Sequence, residues 1–245
     1  MPEYVYGIVQ PGAAAPSGRG IADAPLRLVA GDTACALVSD LPDAADLRLG
    51  REEMLAHARV LEEALTRGTV LPMRFGVLMD GPDAVRRVLL DDHGDELTDQ
   101  LERLQGKVEM HVRGVYEEDA LMREVVRDDA RIASLRSTMQ SHPEEATYHR
   151  RIELGELVAA AVERKRDSDA AGIIELLSPH AQAVEVGTPA HERVVLNASF
   201  LVSRDGLQRF DDVLEDIARD QADLIRFKCA GPLPPHSFVQ LAESA

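Results

Sequence analysis

Glu145, His149 and Glu153 recur every four residues in the stretch HPEEATYHRRIE, so on a helix all three lie along one face. Carboxylate and imidazole at that spacing are the beginnings of a metal site, but a metal needs a further ligand from elsewhere and hydrogen bonds that orient the ligands. Arg150 and Arg151 beside them make an ion-paired solvent face the simpler reading. His57 stands next to the apolar stripe of its own helix, four residues after Glu53, where the two can pair, and a structural role is its default. Ser17-Gly18-Arg19-Gly20 has the composition of a phosphate cradle, yet no strand-to-helix turn surrounds it, and it reads as a flexible loop. Cys35 and Cys229 each fall in an expected strand, far apart and without a CxxC spacing, which makes them buried free thiols rather than a zinc site. A GxSxG elbow, a cysteine with partner histidines, SxxK, GxGxxG and the P-loop pattern are all missing from suitable contexts. The ERKRD run at 163–167 reads as exposed helix surface. These residues carry no catalytic constellation, and no cofactor or metal is expected.

The elements that position these residues can be read from periodicity. YVYGIV (4–9) is a short β-rich run, followed by a Pro-, Gly- and Ala-rich connection over 11–25. LRLVA and ACALVSDL flank Gly31-Asp32-Thr33 as a hairpin. REEMLAHARVLEEALTRG puts Met54, Leu55, Ala58, Leu61 and Leu65 at helical spacing, with Gly68 as the stop. TVLPMRFGVLMDG then suggests one strand entered through Pro72, with Asp80-Gly81-Pro82 ending it. A helix over 83–104 carries Gly94, so a kink near His93 is expected.

The second half opens with the strand KVEMHVRGV and a long helical region with a break at His142-Pro143, a helical hairpin. The strands AQAVEVG and VVLNASFLVS follow, then a helix over DGLQRFDDVLEDIARD capped by Asp205, and a final strand LIRFKCAG. Strand, helices, strand, strand, helix, strand is the split βαβ order of a ferredoxin-like fold, and the first half nearly matches it with the 11–25 connection in place of a crossover helix. The expected class is therefore α+β with two ferredoxin-like domains, 1–105 degenerate and 106–245 with an inserted helical hairpin.

Composition narrows the function classes. The 43 acidic against 27 basic residues give a net charge of -16, which repels nucleic acid and anionic lipid. The start lacks the basic and long apolar regions of a signal peptide, and no apolar run approaches a membrane span, so a cytoplasmic location is expected. With 45% hydrophobic residues but no Trp, the core must be largely aliphatic.

AHARVLEEALTRGTVLPMRFGVLM (56–79) resembles the most recognisable block of the gas vesicle GvpF/GvpL family, a His-containing helix running into a Leu-Pro-x-Arg-Phe-Gly strand. YVYGIV, LQGKVEMHV (104–112) and KCAGPLPPHSFV (228–239) agree in order with other parts of that family. Met110, Leu233 and His236 depart from it, standing where Trp, Trp and Tyr are expected. The resemblance implies a two-domain α+β accessory or minor component of gas vesicle assembly, without enzyme activity. Its implied partners are the small hydrophobic shell protein and other accessory proteins of that assembly. On this reading Pro72, Met73, Arg74, Phe75 and Gly76 are the candidate partner-binding residues. His57 and the stiff tail of Gly231, Pro232, Pro234, Pro235 and Phe238 are structural, the tail more readily packing back on the fold than gripping a partner. Arg74 in an apolar strand must be paired or face solvent, because an isolated buried charge is expensive; pairing across the domain junction is the architectural alternative to a partner contact. Different in kind are a small-molecule-binding regulatory protein on the same fold and an enzyme using the Glu145, His149, Glu153 face.

Overall fold

Tyr, Val and Ile suit a pleated strand covered on both sides, and in β1 (Glu3–Val9) all seven residues are buried. The computed structural model describes residues 1–41, 50–140 and 148–240. The expected His142-Pro143 break and Glu145 lie outside them. The chain divides into two compact units, Met1–Met110 with Gly231–Ala245, and His111–Ala230.

In the first unit β2 (Leu26–Ala30) and β3 (Cys35–Asp40) form the expected antiparallel hairpin, closed by Gly31 N–H donating to the Ala34 carbonyl at 2.9 Å. After α1 (Arg51–Arg67) come β4 (Val70–Pro72) and β5 (Leu78–Met79). The sheet order is β2-β3-β1-β4, with β5 also on β1. The single strand expected over 70–78 is thus two: β4 pairs with Gly7–Val9 and β5 with Glu3–Tyr4, split by a turn at Met73–Val77. Pro72 ends β4 rather than opening a strand. Gly76 has a φ of 95°, a left-handed conformation that an extended strand does not contain and that glycine adopts without steric cost.

α1 forms where its periodicity predicts, but its buried face is Ala56, His57, Val60, Leu61, Ala64 and Leu65. Met54 and Leu55, expected inside, are each 54% exposed. The alanines and His57 face the sheet instead, and small side chains let the helix approach closely. The helix kink near Gly94 is present: α2 (Pro82–Ala84) runs into a π-helical turn, Val85–Asp91, and α3 (Gly94–Arg103) starts afresh.

The second unit follows β6 (Lys107–Tyr116) with α4 (Glu118–Asp128), α5 (Ala130–Gln140) and α6 (Tyr148–Leu177). The helix expected over the first of these stretches breaks at Asp129, whose carboxylate accepts from Arg131 N at 2.9 Å and Ile132 N at 3.3 Å, an N-cap that starts α5. β7 (Ala183–Val186), β8 (Val194–Ser203), α7 (Leu207–Asp220) and β9 (Ile225–Leu233) complete it, with sheet order β7-β8-β6-β9. Phe210, Leu214 and Ile217 are the buried face of α7. Asp205 is not its cap; it lies in a 3-10 turn, Arg204–Gly206, and Gly206 takes the N-cap position. Cys35 is buried as expected, whereas Cys229 is exposed on β9.

Candidate functional site

The turn after β4 is held from below by β1. Its first residue, Met73, donates its N–H to the Tyr6 carbonyl at 2.9 Å, and Gly76 donates to the Tyr4 hydroxyl at 2.9 Å. Val5 N–H reaches the Val77 carbonyl at 3.0 Å. The Pro72–Gly76 segment is therefore a turn clamped at both ends, and it directs Arg74 outward into an exposed position while Pro72 and Met73 are buried.

Beneath the turn, Tyr4, Tyr6, His57 and Phe75 form one aromatic cluster. The Tyr4 and Tyr6 rings are 4.8 Å apart, the Tyr6 and His57 rings stack at 5.6 Å, and Phe75 meets His57 edge-on at 5.7 Å. Tyr4 and Tyr6 stand two residues apart on β1, so both rings meet His57 of α1, and the register against β3 shifts between Val5 and Gly7. Tyr4 Oη lies 3.0 Å from His57 Nδ1. That hydroxyl accepts from Gly76, and its own proton can go to Nδ1; in that arrangement the His57 proton is on Nε2. Nε2 is buried and lacks a hydrogen bond of good geometry among the described residues. His57 is 4% exposed. Burial, and then the neighbouring His236, push its pKa down to about 4, with the Met73 backbone opposing. At neutral pH it is an uncharged part of the core. It does not pair with Glu53, whose carboxylate instead accepts from Gly50 N at 2.9 Å at the start of α1. Tyr4 is pushed up to about 12 by burial, so it stays a hydroxyl.

The tail packs into the same unit. Pro234, Pro235 and Phe238 are buried. Glu109, itself buried, accepts from Ser237 N and Ser237 Oγ at 2.8 Å each. Arg103 donates to the Phe238 carbonyl at 2.9 Å, and the Gln100 amide exchanges two bonds with the backbone of Gln240 at 2.7 and 2.9 Å. Gly231 precedes a cis Pro232 and has a φ of 156°. A Cβ there would meet Met110 Sδ at 2.5 Å and the Glu109 carbonyl at 3.0 Å, so the close approach of the tail to β6 requires glycine.

A second polar cluster sits across β1, β2 and β3, where Arg27 bridges Glu3 and Asp40, the latter at 3.0 Å. Burial of Glu3 raises its pKa, Arg27 opposes, and Asp40 adds to the rise. The SGRG stretch also has a defined role: Ser17 N and Oγ donate to Glu63 Oε1 at 2.8 and 3.0 Å, and Gly18 N to Oε2 at 3.3 Å. It cradles an anion as its composition allows, but the anion is the carboxylate of α1. On α6, His149 is exposed and stacks edge-on against Tyr148, while Glu153 is paired with Arg131 at 2.6 Å. The structure thus brings His57 together with Phe75 and the Pro72–Gly76 turn, and it keeps His149 and Glu153 in separate contacts. Tyr4, Tyr6, Glu63, Gln100 and Glu109 were not singled out from the sequence. Two of only four tyrosines falling in one short strand was the signal for the first pair; the polar pins span dozens of residues and leave no local pattern.

The chain is 37% identical over 246 residues to gas vesicle protein F of Streptomyces sp. (strain CB03234), covering 98% of this chain and all of that one. It is 29% identical over 271 residues to gas vesicle protein L of the same strain, covering 98% and 94%. Two crystal structures share its fold: gas vesicle protein GvpF from Anabaena sp. PCC7120, with a TM-score of 0.86, 22% identity and 99% of both chains covered, and GvpF from Microcystis aeruginosa, with a TM-score of 0.80, 23% identity and 98% and 99% covered. The fold is accordingly mixed α and β with two antiparallel sheets. The model of the gas vesicle synthesis protein GvpL/GvpF family matches residues 3–240, and the chain belongs to that family.

Proposed function

We propose that this protein is an accessory or minor component of gas vesicles that binds the small hydrophobic shell protein, seeding its assembly or limiting its aggregation. The observation that carries the reading is the family match across residues 3–240, which implies a role in gas vesicle formation. A polymerising apolar subunit exposes patches that need transient cover, and a net charge of -16 keeps such a complex in solution. Among the described residues no helix is long and apolar enough to cross a membrane. The contact proposed is the Pro72–Gly76 turn, where Arg74 is exposed and Leu78, just beyond, is 41% exposed. An arginine beside an apolar flank can satisfy carbonyls or a carboxylate of a docked subunit. Greater similarity to an F than to an L protein of one organism favours the F type. The strand orders of the two sheets favour ferredoxin-like units, the first lacking its crossover helix.

A regulatory small-molecule role finds less support. One cleft of about 430 Å³ is lined mainly by the acids Asp32, Asp91, Asp92, Asp95 and Glu96, with Leu90 its one large apolar side chain, where a small-molecule site uses mostly apolar walls. Co-expression with the shell protein of the same organism and affinity pull-down tests the proposal. Co-purification that weakens at least severalfold in a folded Arg74→Ala variant supports both the role and the contact. A folded, monodisperse protein that retains no shell protein overturns it.

A further inference from the structure

The two sheets share one strand order once β1, β2, β3 and β4 are set against β6, β7, β8 and β9, and α1 then corresponds to α7. The connection between the first two strands has no such counterpart. In the second unit it is built from α4, α5 and α6; in the first it is residues 10–25, with one 3-10 turn at Ile21–Asp23. That loop lies beside α1, as Ser17 and Gly18 are held by Glu63, and Arg67 reaches Ser17 Oγ at 3.2 Å. Its underside is anchored at only three buried residues, Pro16, Gly20 and Ile21, and Ile21 N–H donates to the Tyr6 hydroxyl at 2.7 Å. Ala22 and Asp23 have φ values of 54° and 57°, a left-handed conformation that costs any residue with a Cβ. The cover is strained at its turn and latched from outside by exposed hydrogen bonds.

We propose that residues 11–25 are a displaceable cover standing in the place of a helix, and that one amphipathic helix of the apolar partner takes that place. The partner helix turns its aliphatic stripe to the Tyr6 flank beside α1, and a Lys or Arg at its edge joins Arg67, 2.9 Å from Glu63 Oε1, on the carboxylate released by Ser17 and Gly18. This rests on the reading of the protein as a binder of an apolar subunit and names where that subunit docks.

Hydrogen exchange on the full chain tests it, with the Ile21, Ser17 and Gly18 amides as reporters and the β1 and β3 amides as the check on folding. Glu63→Gln, which cannot hold the charge-assisted bonds, should speed exchange in 11–25 about tenfold. Ala22→Gly, which relieves the left-handed strain, should slow it severalfold. Unchanged exchange in Glu63→Gln overturns the proposal. The probe for the occupant is a synthetic sixteen-residue helix with Leu at i, i+3, i+4 and i+7 and Lys along one edge, against a scrambled peptide of the same composition. Faster exchange across 11–25 on adding the first peptide only supports the proposal; equal effects of both peptides, or no effect, overturn it. The same reporters read on a co-purified shell complex separate the two claims. A complex with unchanged exchange at 11–25 ends the cover and keeps shell binding, whereas peptide-driven opening without any shell complex does the reverse.

Discussion

Lowering the pH tests the buried imidazole at the centre of the candidate site. His57 has its pKa pushed from 6.5 down to about 4. The unfolded chain therefore binds this proton at a higher pH than the folded one does. Its contribution to stability is fully present above 6.5 and is lost as pH falls toward 4. At about 1.4 kcal/mol per pH unit the full loss is about 3 kcal/mol. The titratable groups facing His57 are Tyr4 and Tyr6 of β1 and His236 of the tail, and His236 adds positive charge on acidification rather than compensating it. Many carboxylates also titrate in this range, so the quantity to measure is a difference of differences. Urea unfolding followed by circular dichroism at about pH 7.5 and about pH 4.5, on the native chain and on His57→Gln, isolates the imidazole. The native chain should lose about 2–3 kcal/mol more than the variant between the two conditions. Equal losses within about 0.5 kcal/mol would refute a neutral, desolvated His57.

Other consequences follow from single contacts. Tyr4→Phe strands the Gly76 N–H and removes the partner of His57 Nδ1, so urea unfolding should show a loss of about 1–3 kcal/mol. Gly231→Ala sets a Cβ against Met110 Sδ and the Glu109 carbonyl; the expected cost is on the order of 1–3 kcal/mol, read as a lower Tm. Phe238→Ala empties a buried site in the tail and should cost about 3 kcal/mol, with faster exchange at the Gln240 amide as the local sign.

Much of this architecture is visible in the residues. Val, Ile and Tyr runs between turn signals mark β1, β3, β6 and β8, because strand burial leaves a direct trace in side-chain type. The face of α1 is not legible in the same way. Met54 and Leu55 are the larger apolar residues, but the packing surface uses Ala56, His57 and Ala64, and only the sheet beneath decides between two overlapping stripes. The interrupted strand after Val70 hides because MRFGV is apolar enough to extend; the two hydrogen bonds that fold it into a turn come from Tyr4 and Tyr6, distant in sequence. Asp129 and Asp205 are the instructive pair. Both are acids before a helical stretch, yet one caps α5 and the other sits a residue too early for α7, whose first turn is preceded by a 3-10 turn. The site was half legible: His57 and the Pro72–Gly76 turn stand in one recognisable block, while the tyrosines and the carboxylates that hold the loop and tail depend on three-dimensional closure.

Binding of the shell protein by this chain is read from the soluble fraction of shell protein after co-expression. Sedimentation should leave several times more shell protein in solution with the native chain than without it, and Arg74→Ala should lose most of that gain while remaining folded. Shell protein that pellets to the same extent with and without a folded native chain would contradict it.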